Sequence, residues 1–189
     1  MEQFTPEREE SPEEKKFNSY QEYFNLSHQD LQKPLLDVGA GNGEFIQYIR
    51  NTLGNKEAVS VEKESSKVDS VKKEGMIITD GTTLPFPDES FEIVIARNYL
   101  PMFVANEEKM NRALTELLRV TKQGGRVMGD IATPEKEFKK IELEEDEQDK
   151  KWQTRKYDGA VKLQQFLQNL EDEGYKIERK EKVIVITKF

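Results

Sequence analysis

This sequence contains no cysteine, which excludes a disulfide framework, a thiolate zinc site and a cysteine nucleophile. Histidine is nearly missing too. The single copy, His28, stands in a polar stretch between Ser27 and Gln29. It is a candidate general base, with a loop or capping role as the alternative. No apolar run approaches the length needed to cross a bilayer. Met1–Ser11 is acidic and has no apolar h-region, so a cytoplasmic chain is expected. Net positive charge is lacking as well: 29 Lys and Arg face 37 Asp and Glu, a formal −8. Phosphate contacts need clustered cations, so this balance argues against non-specific nucleic-acid binding. What is present is charge in bulk, 35% of the residues, which describes a heavily solvated surface. A length of 189 residues suits one domain with a full core.

Against that polar background one stretch stands out: Leu35-Leu36-Asp37-Val38-Gly39-Ala40-Gly41-Asn42-Gly43-Glu44-Phe45. An apolar run ends in an acid, three glycines alternate, and a helical repeat begins with Phe45, Ile46, Ile49 and Leu53. This reads as a buried strand, a tight turn and the start of a helix from Glu44 to about Leu53. The glycines permit positive φ and close approach of a ligand to the backbone. The first N–H groups of the helix point at whatever lies above them. The dinucleotide fingerprint G-x-G-x-x-G is not met, because Glu44 takes the place of its third glycine. A Walker loop would require Gly-Lys-Ser/Thr, also absent. An acid at the strand end suits a ligand carrying an ammonium and a sulfonium better than a pyrophosphate. The D-x-G-x-G-x-G form led by Asp37 resembles motif I of the class I S-adenosylmethionine (SAM)-dependent methyltransferases.

Two further stretches sit at the spacing of that family. Glu57–Val61 reads as a second strand ending at Glu62, about one βαβ unit beyond Asp37. A carboxylate there is placed to accept both ribose hydroxyls of an adenosine, at about 1.5–3 kcal/mol for each charge-assisted bond. Ser65–Glu74 fits a short helix stopped by Gly75, and Met76–Thr79 a third strand. Then comes Asp80-Gly81-Thr82-Thr83-Leu84-Pro85-Phe86-Pro87-Asp88-Glu89-Ser90-Phe91-Glu92-Ile93-Val94. It closely resembles the family's D-x-x-x-L-P-F-x-D-x-S-F-D-x-V segment, whose leading acid receives the adenine amino group. Asp80, an acceptor-only carboxylate, suits that exocyclic amine.

Phe91–Ala96 is nearly continuous in apolar character, as a strand covered on both faces should be. Substrates meet the transferable group at the carboxyl end of such a strand, which makes Arg97, Asn98 and Tyr99 candidates for cofactor or substrate contacts. The Asn/Asp-Pro-Pro-Tyr sequence of amino-methylating nucleic-acid enzymes is not found there. Asn106 is a plausible N-cap for a helix from Glu107 to Lys122, with Gly124-Gly125 as its stop and Arg126–Ile131 as the fifth strand. Asp130 lies at that strand's end, facing the same crevice, where it could accept a proton from a substrate or make a structural hydrogen bond. Residues 133–156 are poor in apolar anchors and read either as a substrate lid or as a solvated helix. Ala160–Glu173 fits a helix, and two strands close the chain.

Upstream, residues 1 to about 14 have little to bury and are expected to be mobile. From Lys16 to Leu31 aromatics gather, with Phe17, Tyr20 and Phe24 on one helical face and Tyr23 beside them. In the family such an N-terminal helix covers the cofactor and helps form the substrate pocket. The boundaries that follow are an N-terminal extension, 1–33, and a methyltransferase domain, 34–189. The resemblance implies an α/β, Rossmann-like, doubly wound fold with a seven-stranded, mostly parallel sheet. Its strand order is 3-2-1-4-5-7-6, with the last strand antiparallel. It implies SAM as cofactor, S-adenosylhomocysteine (SAH) as product and a small-molecule acceptor, with neither membrane nor metal assigned. The cofactor contacts carried over are Asp37, Gly39, Ala40, Gly41, Gly43, Glu62, Lys63, Asp80, Gly81, Thr82, Arg97 and Asn98. Tyr99, Asp130, His28 and Tyr20 are the catalytic candidates. The rival readings are a nicotinamide-dependent oxidoreductase, an aminopropyl transferase, and a protein that keeps this fold for binding alone.

Overall fold

A computed structural model of the chain describes residues 9–63, 74–100, 106–130, 139, 142, 144, 146–180 and 183–189. The expected helix 65–74 lies almost wholly outside them. Ser11 opens helix α1 (Pro12–Phe24): its hydroxyl accepts the Glu14 N–H, and proline occupies the first helical position. The first turn of α1 therefore falls inside the segment that composition alone assigns to a mobile leader. After a 3-10 turn (Asp30–Gln32) come β1 (Leu35–Val38), α2 (Glu44–Thr52), β2 (Ala58–Glu62), β3 (Met76–Ile78) and β4 (Phe91–Ala96). Helix α3 (Glu107–Val120) follows, then β5 (Thr121–Asp130), helix α4 (Glu147–Asp172), β6 (Lys176–Lys180) and β7 (Val183–Thr187).

The seven strands form one sheet in the order β3-β2-β1-β4-β5-β7-β6. β7 runs antiparallel to both neighbours and the remaining pairs are parallel. This is the topology the sequence implies. Alternation sorts the side chains of each central strand to two faces. Leu36, Val38 and Val94 join Leu114 and Leu117 of α3 and Leu163 and Leu167 of α4 in one core. Leu35, Ile93, Ile95 and Met128 join Phe17, Tyr20 and Phe24 of α1 and Phe45, Ile46 and Ile49 of α2 in the other. Aromatic stacking ties the two helices of that second layer. The Phe17–Tyr48 and Tyr20–Phe45 centroids are each 4.4 Å apart.

Two boundaries differ from the sequence reading for physical reasons. The Gly124-Gly125 pair does not separate helix from strand. β5 begins at Thr121, directly after α3, and the glycines lie in a register shift between the Phe91↔Thr121 and Ile93↔Arg126 pairs. The second departure is α4, which runs unbroken through Asp158 and Gly159. It takes in residues 147–156 of the sparsely anchored run 133–156 and begins at an Asp146 cap that accepts the N–H groups of Gln148 and Asp149. The solvated-helix alternative therefore describes that part of the run. Among the described residues no helix is long and apolar enough to cross a membrane.

Candidate functional site

The glycine loop leaves β1 and is pinned at once, since the N–H groups of Gly39 and Ala40 both donate to the Val61 carbonyl. Gly41 has φ +59, and a Cβ built there would meet nothing within 4 Å, so the loop is open on its outer side. Gly39 and Gly43 are glycines for the opposite reason. A Cβ on Gly39 would press on the Tyr99 ring at 3.2 Å, and one on Gly43 would come within 2.7 Å of Met76 Cε. Beneath the loop lies Asp37, fully buried, on the same strand face as Leu35. Neither of its carboxyl oxygens has a hydrogen-bond partner among the described residues. Burial pushes its pKa up to about 7, against the opposing pull of Lys16 and Arg97. A buried acid with no hydrogen-bond partner among the described residues, beneath an open glycine turn, can receive a cationic ligand.

Glu62 ends β2 beside the loop. Its Oε2 accepts the Gly41 N–H at 2.8 Å, and its Oε1 accepts the Lys63 N–H at 2.8 Å. Asp80 follows β3. The Lys63 ammonium, 2.7 Å from Oδ2, and the Thr82 N–H hold its pKa down at about 2. Thr82 Oγ1 also donates to Asp80 and so helps fix the carboxylate, while the threonine is not among the residues that line the cleft. The loop beyond is bolted to α3. Arg119 donates to the carbonyls of Leu84 and Phe86 and pairs with Asp88 and Glu116, and Glu116 accepts the Leu84 N–H.

At the end of β4 the candidates separate. Arg97 packs over two tyrosine rings, its Cζ 4.8 Å from the Tyr20 centroid and 4.7 Å from that of Tyr23, and it donates to Ser19 Oγ at 2.9 Å. Asn98 is a non-glycine residue at φ +57, a conformation that persists only where its surroundings impose it. Asp130 supplies that constraint: one oxygen accepts the Asn98 N–H and the other the Tyr23 hydroxyl at 2.5 Å. Asp130 is thus a structural clamp and not a free base. Tyr99 is a buried wedge, its ring against Gly39 and its hydroxyl against Gly81. Desolvation raises the pKa values of Tyr20 and Tyr99 well above the ordinary tyrosine value, so both stay protonated. His28 lies on an exposed turn and lines neither cavity described below.

A cleft of about 450 Å³ joins these pieces at the carboxyl ends of β1, β2, β3 and β4. Of the contacts carried over, Gly39, Ala40, Gly41, Glu62, Lys63, Asp80, Gly81, Arg97 and Asn98 line it, as do Tyr20 and Tyr99. Asp37 and Gly43 stand behind its wall. Lys16 and Thr79 also line it and went unread in the sequence, Lys16 because a lysine in a charged N-terminal stretch looks like surface. The bond of Tyr23 to Asp130 spans 107 residues, beyond the reach of any local pattern.

A doubly wound sheet in this strand order, with an acid-led glycine loop after its first strand, defines a class I methyltransferase fold. Residues 36–129, about half of the chain, match the model of the methyltransferase domain family, and through that segment the chain belongs to it. Among curated proteins the chain is similar to the uncharacterized methyltransferase YcgJ of Bacillus subtilis, 34% identical over 103 residues, 50% of this chain and 38% of that protein. It is also similar to the uncharacterized protein MJ1123 of Methanocaldococcus jannaschii, 27% identical over 135 residues, 71% of this chain and 62% of that protein. The matches thus span less than two thirds of either relative. Among solved structures it shares the fold of the plantazolicin methyltransferase BpumL in complex with SAH. There the TM-score is 0.57 at 12% identity, covering 94% of this chain and 82% of that one.

Proposed function

We propose that this protein binds SAM in the glycine-loop cleft and transfers its methyl group to a small-molecule acceptor. One observation carries the reading: the buried carboxylate of Asp37, without a partner among the described residues, beneath an open Gly41 turn. That pairing fits an ammonium-bearing ligand and disfavours the pyrophosphate of a nicotinamide cofactor. In this reading Gly39, Gly41 and Gly43 shape the cradle for the amino-acid end, Asp37 neutralises its ammonium, and Lys16, which lines the same cleft, is available to its carboxylate. Glu62 moves from the Gly41 N–H to the ribose hydroxyls. Asp80, whose oxygens keep lone pairs beyond those used by Lys63 and Thr82, faces the adenine amine.

The cofactor supplies a methyl carbon already activated by a sulfonium, so the chain's task is alignment and exclusion of water. Its described residues suit that task. Tyr20 and Tyr99 hold their protons, and both oxygens of Asp130 are occupied. This arrangement serves an acceptor atom that already presents a lone pair. Calorimetric titration tests the proposal. SAM and SAH bind and NAD does not, and Glu62→Ala weakens both by roughly tenfold or more through the lost ribose bonds. Binding of NAD alone would overturn it.

A further inference from the structure

A second and larger cavity, about 630 Å³, lies on the other side of Arg97. Its walls are the outer flank of α1 and the face of β5, β7 and β6 beyond the reach of that helix. Phe24, Met128, Val183 and Val185 give it an apolar floor. Five charged residues reach it: Glu22, Arg97, Arg126, Glu178 and Lys180. Most are already neutralised. Arg126 is paired with Asp30, and Glu178 with Lys176 at 2.8 Å and Lys180 at 3.5 Å.

Arg97 differs. Its guanidinium forms no ion pair with any described residue, is half-buried, and borders both cavities. The Tyr20 and Tyr23 rings lie 4.8 and 4.7 Å from its Cζ and Ser19 takes one of its donors, which leaves further N–H groups for a ligand. In-plane N–H pairs match the two oxygens of a carboxylate. Glu22, exposed at the rim, repels a polyanion, so the complement is one charge on an apolar body.

From this we infer that the second cavity is the acceptor site of the proposed methyltransferase, and that it takes a small molecule with an apolar body and a single carboxylate anchored on Arg97. The inference rests on the methyltransferase reading for the identity of the neighbouring ligand, and on the cavity alone for the chemistry of its own.

The test is a titration of the SAH-saturated protein with 3-phenylpropionate, its neutral amide and phenethylamine as probes. The carboxylate binds at least about tenfold more tightly than the other two, the range of a charge-assisted bidentate pair. Arg97→Met removes that preference. Val183→Phe on the strand side and Glu22→Trp on the helix side each fill the cavity and weaken the carboxylate while SAH affinity holds. Thermal melts show which variant is folded. Equal binding of carboxylate and amide, no binding of either beside bound SAH, or a preference that survives Arg97→Met would each overturn the inference. The last two results leave the cofactor reading intact. Failure of SAH itself to bind would strike the cofactor reading, and the same titration on the free chain would then decide the cavity by the same criteria.

Discussion

Asp37 holds more of the chemistry than any other single residue. Folded, it keeps its proton up to about pH 7, whereas an unfolded chain releases it near about pH 4. Between those values the folded state binds more protons, so the residue's contribution to stability falls as pH rises and levels off above about 7. The linkage has an upper bound on the order of 4 kcal/mol. Asp37→Asn removes the ionisation and leaves an amide still short of partners. It should raise the stability of the free protein by roughly 1–2 kcal/mol at pH 8, seen as a higher Tm, while weakening SAM. An ammonium requires the carboxylate, so wild-type binding should release up to one proton at pH 6 and almost none at pH 8. Calorimetry in buffers of differing ionisation enthalpy reads this directly. Gly41 makes the complementary point. With nothing within 4 Å of an added methyl, Gly41→Ala costs only the left-handed backbone penalty of about 1–2 kcal/mol. The protein should still fold and should lose SAM, because the methyl projects into the space where the proposed site places the cofactor.

At the level of elements, the loop between β3 and β4 shows how a site is held from outside. Arg119 on α3 touches two of its carbonyls and Asp88, and Glu116 takes the Leu84 N–H, yet neither residue lines the cleft. Arg119→Met should loosen the Asp80 side of the cleft, where the proposed site places the adenine. The expected result is a several-fold weaker SAM affinity and faster amide exchange over residues 84–88, with Asp37-linked proton release unchanged. Helix α1 works in the same way from the opposite side. It packs by Phe17 and Tyr20 on α2, sends Lys16 to the cofactor cleft, and lends Ser19 and Tyr23 to the second cavity.

Over the whole molecule, the run of strands and helices and the glycine-loop motif were legible because both are written locally, while the strand order came with the family resemblance those motifs carry. Asp37 through Phe45, Glu62 and Asp80 through Val94 are short stretches whose residue types follow from turn geometry and ligand charge. What stayed hidden depends on contacts distant in sequence. The Asp130 carboxylate reads in the sequence as a proton acceptor or a structural hydrogen-bond partner, and only the fold, which brings Tyr23 and the Asn98 N–H to it, favours the second. The Gly124-Gly125 pair looks like a helix stop because a bulge inside a strand uses the same residues. The start of α1 is written in Ser11-Pro12-Glu13-Glu14, a serine cap and an N1 proline, but the surrounding acidic composition masks it.

The central claim is that the cleft over Gly41 is a SAM site, and a crystal structure of the SAH complex tests it most directly. The account predicts the SAH ammonium against Asp37, the ribose on Glu62 with its bond to the Gly41 N–H broken, and the adenine beside Asp80. SAH bound elsewhere, or Glu62 still on Gly41 with the ribose held by other groups, would contradict it.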